Sequence, residues 1–313
     1  MEKAKRTAAI AIVILIVMIL SATGTFVFLI DRFRQQISEA DLQHTRLQDE
    51  LAQRYEYTDL LNRNYQAKKE ELSTFDDILA RIEEERQAYY SEIIELEEKI
   101  RNGQTRKKIA YLTFDDGPYT LTTQFLNVLD EYQVKATFFY LMKSAETGYE
   151  DVDEIYDRIY RRIIQSGHTL GNHTASHKFG EEGVYQSVDY FLSDLKKNRD
   201  FIYDRYGYIT TIMRFPGGSE TSSLAPAIIE RLDELDYVYV DWNAQTGDGG
   251  KNVLSAETYT SNVLNDTEGK NILVVLMHDY SENTLKALPD IIKGLRKQGY
   301  ILLPLCDRSA ACH

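Results

Sequence analysis

The chain has 313 residues, 43% of them hydrophobic, which is room for one sizeable domain plus extensions. Its formal charge of −13, with no basic patch, argues against a nucleic-acid partner and suits a neutral substrate or a product that becomes cationic. In chain order, Lys3, Lys5 and Arg6 come first, in a basic tail over 1–7, and an uncharged apolar run follows from Ala8 to Ile30. As a helix that run can cross a hydrocarbon core of ~30 Å. The small residues Ser21-Ala22-Thr23-Gly24 do not end it, so we expect an uncleaved transmembrane signal anchor over 8–30 rather than a cleaved signal peptide. The basic flank places the N-terminus in the cytoplasm and the body of the protein outside the cell, with Arg32 and Arg34 weakening the bias.

Residues 31–103 are charge-rich, have no proline, and have no glycine before Gly103. Apolar residues recur at steps of three and four through Leu61, Tyr65, Leu72, Phe75, Leu79, Ile82, Tyr89, Ile93, Leu96 and Ile100, with only Lys68 and Arg86 interrupting the seam. Phe33, Ile37, Leu47 and Leu51 stay in register upstream. A seven-residue repeat of this length predicts a coiled-coil stalk and a homo-oligomer. Polar and aromatic seam residues leave the oligomer state open, and the alternative to a coiled coil is a single long amphipathic helix folding back on the next domain. From about residue 104, apolar strands alternate with helical segments, which means an α/β domain with a parallel sheet. Strands are expected at 108–114, 135–141, 168–171, 211–215, 237–241, 271–277 and 300–305. Helices are expected at 120–132, 151–166, 185–206, 223–235, 255–266 and 284–298.

Several of these strands end in residues that carry chemistry. Thr113-Phe114-Asp115-Asp116-Gly117-Pro118 sets two adjacent carboxylates at a strand end before a Gly-Pro turn, where α/β enzymes build their sites. Neighbouring carboxylates repel and are costly to bury, so a positive partner is needed; taken alone, a solvated acidic turn explains them too. His173 and His177 are four residues apart in Gly171-Asn172-His173-Thr174-Ala175-Ser176-His177 and share a face if helical, or converge from a tight loop. With one carboxylate they make three metal ligands and leave positions open, as in catalytic sites. His168 reads as structural. Met213-Arg214-Phe215-Pro216-Gly217-Gly218 ends a strand with a guanidinium able to hold an Asp ionised, unless it is an ordinary salt bridge. Asp241 and the lone Trp242 end another strand, and Leu273 to His278 ends in a His placed for general-acid work. Cys306 and Cys312 read equally as a tail-closing disulfide or as idle thiols.

These strand-end motifs, with Val134-Lys135-Ala136-Thr137-Phe138-Phe139, come in the order found in polysaccharide deacetylases of carbohydrate esterase family 4, the NodB homology domain. The sequence resembles that family from about Lys107 to Leu305. The resemblance implies a distorted (β/α) barrel over 104–313 with its groove at the strands' C-terminal side. It implies Asp115 as general base, His278 as general acid, Arg214 orienting Asp115, and Asp241 pairing with His278. Asp116, His173 and His177 would hold one divalent metal; zinc suits them best, with cobalt, nickel or iron also compatible. Leu276 would line the acetyl pocket and Trp242 a groove wall, beside Pro216 and Gly217, with a backbone N–H near Gly217 as oxyanion donor. The family often carries an aromatic where Gly217 stands, and an additional Asp where Val238 stands. The implied function is N-deacetylation of GlcNAc units in a cell-surface polysaccharide, first of all peptidoglycan. Chitin-like or O-acetylated glycans, or a non-catalytic glycan-binding scaffold, are the alternatives.

Overall fold

The computed structural model describes residues 6–8, 10, 25–142, 150–179 and 183–309. Most of the apolar run 8–30 lies outside them, as does Cys312; among the described residues no helix is long and apolar enough to cross a membrane. Helix α1 runs from Thr25 to Arg101, and the chain divides within it into two compact units, Met1–Leu72 and Ser73–His313. In the first unit the expected seam faces water, with Ile37, Leu47, Leu51, Leu61 and Tyr65 all exposed.

The second unit begins at Ser73, upstream of residue 104, where the barrel domain was expected to start. From Ser73 onward α1 packs its apolar residues on the barrel: Phe75 joins one core cluster, and Tyr90, Ile93 and Ile100 join another. Glu97 is buried with them and accepts a hydrogen bond from the Tyr111 hydroxyl. A buried Ile or Phe contributes about 1.5–3 kcal/mol, so this stretch of α1 adds to the core of the barrel unit.

The sheet is built from β1 (Lys108–Asp115), β2 (Thr137–Tyr140), β3 (Thr169–Asn172), β4 (Ile212–Met213), β5 (Val238–Tyr239), β6 (Ala244–Gln245), β7 (Ile272–His278) and β8 (Tyr300–Leu303). Helices α2 (Thr122–Glu131), α3 (Glu150–Gln165), α4 (Val188–Tyr206), α5 (Ala225–Glu234), α6 (Ala256–Asn265) and α7 (Glu282–Lys297) connect them. Every described pairing is parallel, in the order β5-β4-β3-β2-β1-β7-β6, with β8 beside the first half of β1. No pairing joins β5 to β6 among the described residues, so the barrel is incomplete. Strand β6 is too short to show in the sequence pattern.

Alternation along the strands aims the chemistry. In β1, Ala110, Leu112 and Phe114 face the core under the helices, while Ile109 and Tyr111 face the barrel interior with α1. In β7, Leu273, Val275 and Met277 face the helices and Val274 faces inward. Continuing the period of two puts Asp115 and His278 on the interior face. They are register partners on adjacent strands, so base and acid candidates stand side by side at the mouth.

Candidate active site

Asp115, Asp116, His173, His177, Gly217, Trp242, Asp248, Leu276 and His278 line one cleft of about 500 Å³ at the C-terminal ends of the strands. Asp115 is almost fully buried, and burial pushes its carboxyl above its ordinary value while the Arg214 charge pulls the other way. Arg214 Nη1 donates to Asp115 Oδ1 at 2.9 Å and to Thr113 Oγ1 at 2.7 Å. Nε donates to the Val240 carbonyl and Nη2 to the Asp241 carbonyl, and the guanidinium lies 4.3 Å from the Phe139 ring centroid. With its donors spent on four fixed acceptors, this side chain holds the base in one orientation.

The two histidines come from a tight loop after β3, not from a helix. The Asn172 Oδ1 accepts from the Thr174 N–H, and Asp194 Oδ2 on α4 accepts from the N–H groups of Ala175 and Ser176. Asp116, Thr174 and His177 have φ of 71°, 67° and 50°, a left-handed backbone that side chains disfavour and that the surrounding bonds enforce. Asp194 was invisible to sequence reasoning, because an acidic residue on a helix reads as a surface residue.

Asp116, His173 and His177 form a group whose ligand atoms lie within 4.8 Å of one another. Asp116 Oδ1 is buried without a hydrogen-bond partner, 3.5 Å from His173 Nε2 and 3.3 Å from His177 Nε2. The His173 ring is buried, which holds its pKa down at about 3 and keeps it neutral. Its Nδ1 donates to the Arg214 carbonyl at 2.8 Å, so the Nε2 lone pair faces the group. A stranded carboxylate oxygen facing two imidazole nitrogens is the donor set of an open divalent-cation site, so the residues fit a metal.

His278 corrects one sequence expectation. Its Nδ1 donates to Asp248 Oδ1 at 2.8 Å, and its backbone N–H donates to Asp248 Oδ2 at 2.9 Å. Thr284 Oγ1 donates to the same Oδ2 at 2.6 Å. Burial alone would depress the His278 imidazole, but Asp248, aided by Asp115 and Asp116, raises it to about 9. Asp241, the expected partner, instead accepts from the backbone N–H and the hydroxyl of Ser219 and fixes the turn after β4. Asp248 was missed because it sits in the turn Thr246-Gly247-Asp248-Gly249-Gly250, without an apolar strand to announce it. Gly249 is also required: a Cβ there would come within 2.8 Å of His278 Cε1.

The remaining residues divide. Leu276, Trp242 and Gly217 border the cleft, whereas Pro216 is absent from its lining and offers its carbonyl to the Tyr185 hydroxyl. His168 is buried away from the cleft, and its Nδ1 accepts from the Ala136 N–H.

A family profile for polysaccharide deacetylases matches residues 102–240. The chain is 32% identical to a peptidoglycan-N-acetylglucosamine deacetylase of Bacillus cereus over 203 residues, 64% of this chain and 69% of that protein. It is similar in structure to the catalytic domain of a peptidoglycan N-acetylglucosamine deacetylase from Eubacterium rectale. That match has a TM-score of 0.60 at 34% identity and covers 66% of this chain and 92% of the other. A Streptococcus mutans CE4 esterase matches with a TM-score of 0.57 at 28% identity, over 67% of this chain and 90% of that one. On the fold, the cleft and these similarities, the chain belongs to the polysaccharide deacetylases of carbohydrate esterase family 4.

Proposed function

We propose that this chain removes the N-acetyl groups of GlcNAc units in peptidoglycan, releasing acetate and leaving a free amine. The observation that carries the reading is the side-by-side register of Asp115 and His278 next to the Asp116–His173–His177 group. Asp116, His173 and His177 would hold a divalent cation, which when bound would supply Lewis acidity toward the acetamide carbonyl and lower the pKa of water. Asp115, with its pKa raised by burial, takes the proton of the attacking water, and Arg214 keeps the carboxylate aimed. His278, held protonated by Asp248, delivers a proton to the departing nitrogen. Leu276 offers an apolar wall for the acetyl methyl. A glycan-binding scaffold would have no use for this matched acid and base.

The choice of peptidoglycan rests on the relatives named for that activity and on the N-terminal sequence. The apolar run 8–30 and its basic flank support a single-pass anchor, with a cytoplasmic N-terminus and the catalytic domain on the cell-wall side. The exposed heptad seam of 31–72 supports self-association of that segment. Acetate release by the full chain, compared across peptidoglycan, chitin oligomers and acetylated xylan with and without a chelator, tests the reading. Release from peptidoglycan that stops on chelation and returns with zinc supports it; release from acetylated xylan alone contradicts it.

A further inference from the structure

Behind the cleft, one buried tyrosine links the backbone segments that carry the ligands and the acid. Tyr140, the last residue of β2, is fully buried and lies outside the cleft lining. Its ring lies against the turn after β1, where a Cβ on Gly117 would overlap it. The backbone on either side of Tyr140 grips the same turn. The Asp116 N–H donates to the Phe139 carbonyl at 3.2 Å, and the Leu141 N–H donates to the Gly117 carbonyl at 3.1 Å. The Tyr140 carbonyl accepts from the His173 N–H at 3.2 Å and from Asn198 Nδ2 at 2.7 Å. Two of the three candidate metal ligands are thus tied to the end of β2.

The tyrosine hydroxyl makes the third connection. It donates to Asp279 Oδ2, and Thr122 Oγ1, at the first residue of α2, donates to the same oxygen at 2.6 Å. Asp279 directly follows His278 and is fully buried. Its bonds to Tyr140 and Thr122 place its carboxylate on the helix side of the sheet, a face otherwise apolar, with Phe114, Phe138 and Met277. A phenylalanine would fill the space of Tyr140, and burying a hydroxyl with a carboxylate is costly beside an apolar pair. A polar knot in such a place acts on geometry more than on stability. The strained element it holds is Asp116, with its left-handed φ of 71°.

We infer that Tyr140 is a positioning residue: pinned by Asp279, its ring and carbonyl hold the Asp116 turn and the His173 loop in register with His278. Without the hydroxyl the ring is free to slide along Gly117, Asp116 Oδ1 drifts from the two imidazole nitrogens, and the ligand set loosens. The consequence for catalysis rests on the deacetylase reading above; the consequence for the ligand set does not.

Zinc affinity of the full chain is measured by competition with a chromogenic chelator, alongside melting of the metal-free protein and acetate release from peptidoglycan. Tyr140→Phe keeps the core volume and should weaken zinc binding about tenfold and lower kcat about tenfold at an unchanged KM. Thr122→Val takes a hydroxyl from the same Asp279 oxygen on the side of α2. It should lower the melting temperature by about 3 °C and leave zinc affinity within about twofold. Asp279→Ala should weaken zinc binding as Tyr140→Phe does, and the double variant should lose no more than either alone. Where Asp279→Ala does not fold, Tyr140→Phe against Thr122→Val decides. A Tyr140→Phe protein with wild-type zinc affinity, or a Thr122→Val protein that loses as much, overturns the inference. A wild-type chain inert on every glycan, with zinc affinity still weakened by Tyr140→Phe, overturns the deacetylase reading and leaves the positioning role standing.

Discussion

Replacing Asp248 by Asn keeps the side chain's shape and removes the charge that holds the proton on His278. In the wild type that imidazole stands at about 9 against an ordinary 6.5, with the Asp248 hydrogen bond and charge first among the influences that raise it. Burial persists in the variant while Asp115 and Asp116 remain, so the imidazole falls back toward its ordinary 6.5. At a pH near 7.5 the protonated fraction then falls from nearly all to about one tenth. The general acid is depleted about tenfold, and the alkaline limb of the rate profile moves from near 9 toward 6.5. NMR titration of the His278 ring in metal-free protein measures the shift directly, and acetate release against pH measures its consequence. Asp241→Asn is the control, since that carboxylate caps Ser219 and does not touch His278. A His278 titration unmoved by Asp248→Asn, or moved as far by Asp241→Asn, would refute the assignment.

Arg214→Lys keeps a charge but loses the fork, leaving Asp115 and two backbone carbonyls short of donors in a buried site. Chemical denaturation should show a loss of about 3–5 kcal/mol, and activity should fall with it. Gly249→Ala presses a methyl against His278 Cε1 and displaces the ring; a ten- to hundredfold fall in kcat with an unchanged melting temperature is expected. A chain beginning at Ser73 should melt like the full-length protein. One beginning at residue 104 loses Phe75, Tyr90, Ile93 and Ile100, worth about 2 kcal/mol each, against a domain margin of ~5–15 kcal/mol. That shorter chain should be unfolded or melt far lower by circular dichroism; equal melting of both would restore the boundary at 104.

The strands that matter most were legible because they are long. β1 and β7 show their ends and their phase in the sequence, and phase alone predicts that Asp115 and His278 share a face. The short strands β5 and β6 carry no such phase, so nothing in the segment from Asp241 to Asp248 stood against the Asp241 partner for His278 that the family resemblance implied. There the Trp marked a strand end, while the useful carboxylate lay in a glycine-rich turn. In the helix before the barrel, the coiled-coil reading gives way from Ser73 onward to the alternative of a long amphipathic helix folding back on the domain. Apolar residues at steps of three and four are required both by a coiled coil and by a helix that closes one end of a barrel. Ile93 and Ile100 therefore read as seam until the barrel interior made of Ile109, Tyr111, Phe139 and Val274 is seen to pack on them, and Phe75 until the cluster under the helices does the same. The support beneath the histidine loop, Asp194 above all, comes from a distant helix and leaves no local pattern.

The central claim is that Asp115 acts as a base beside a metal held by Asp116, His173 and His177. Its most direct measurement pairs metal content with acetate release from peptidoglycan in two variants, Asp115→Asn and His173→Ala. Asp115→Asn should keep about one equivalent of zinc and lose about a thousandfold in rate, while His173→Ala should lose the zinc and the activity together. An Asp115→Asn protein that turns over normally, or a His173→Ala protein that retains a full equivalent of metal, contradicts it.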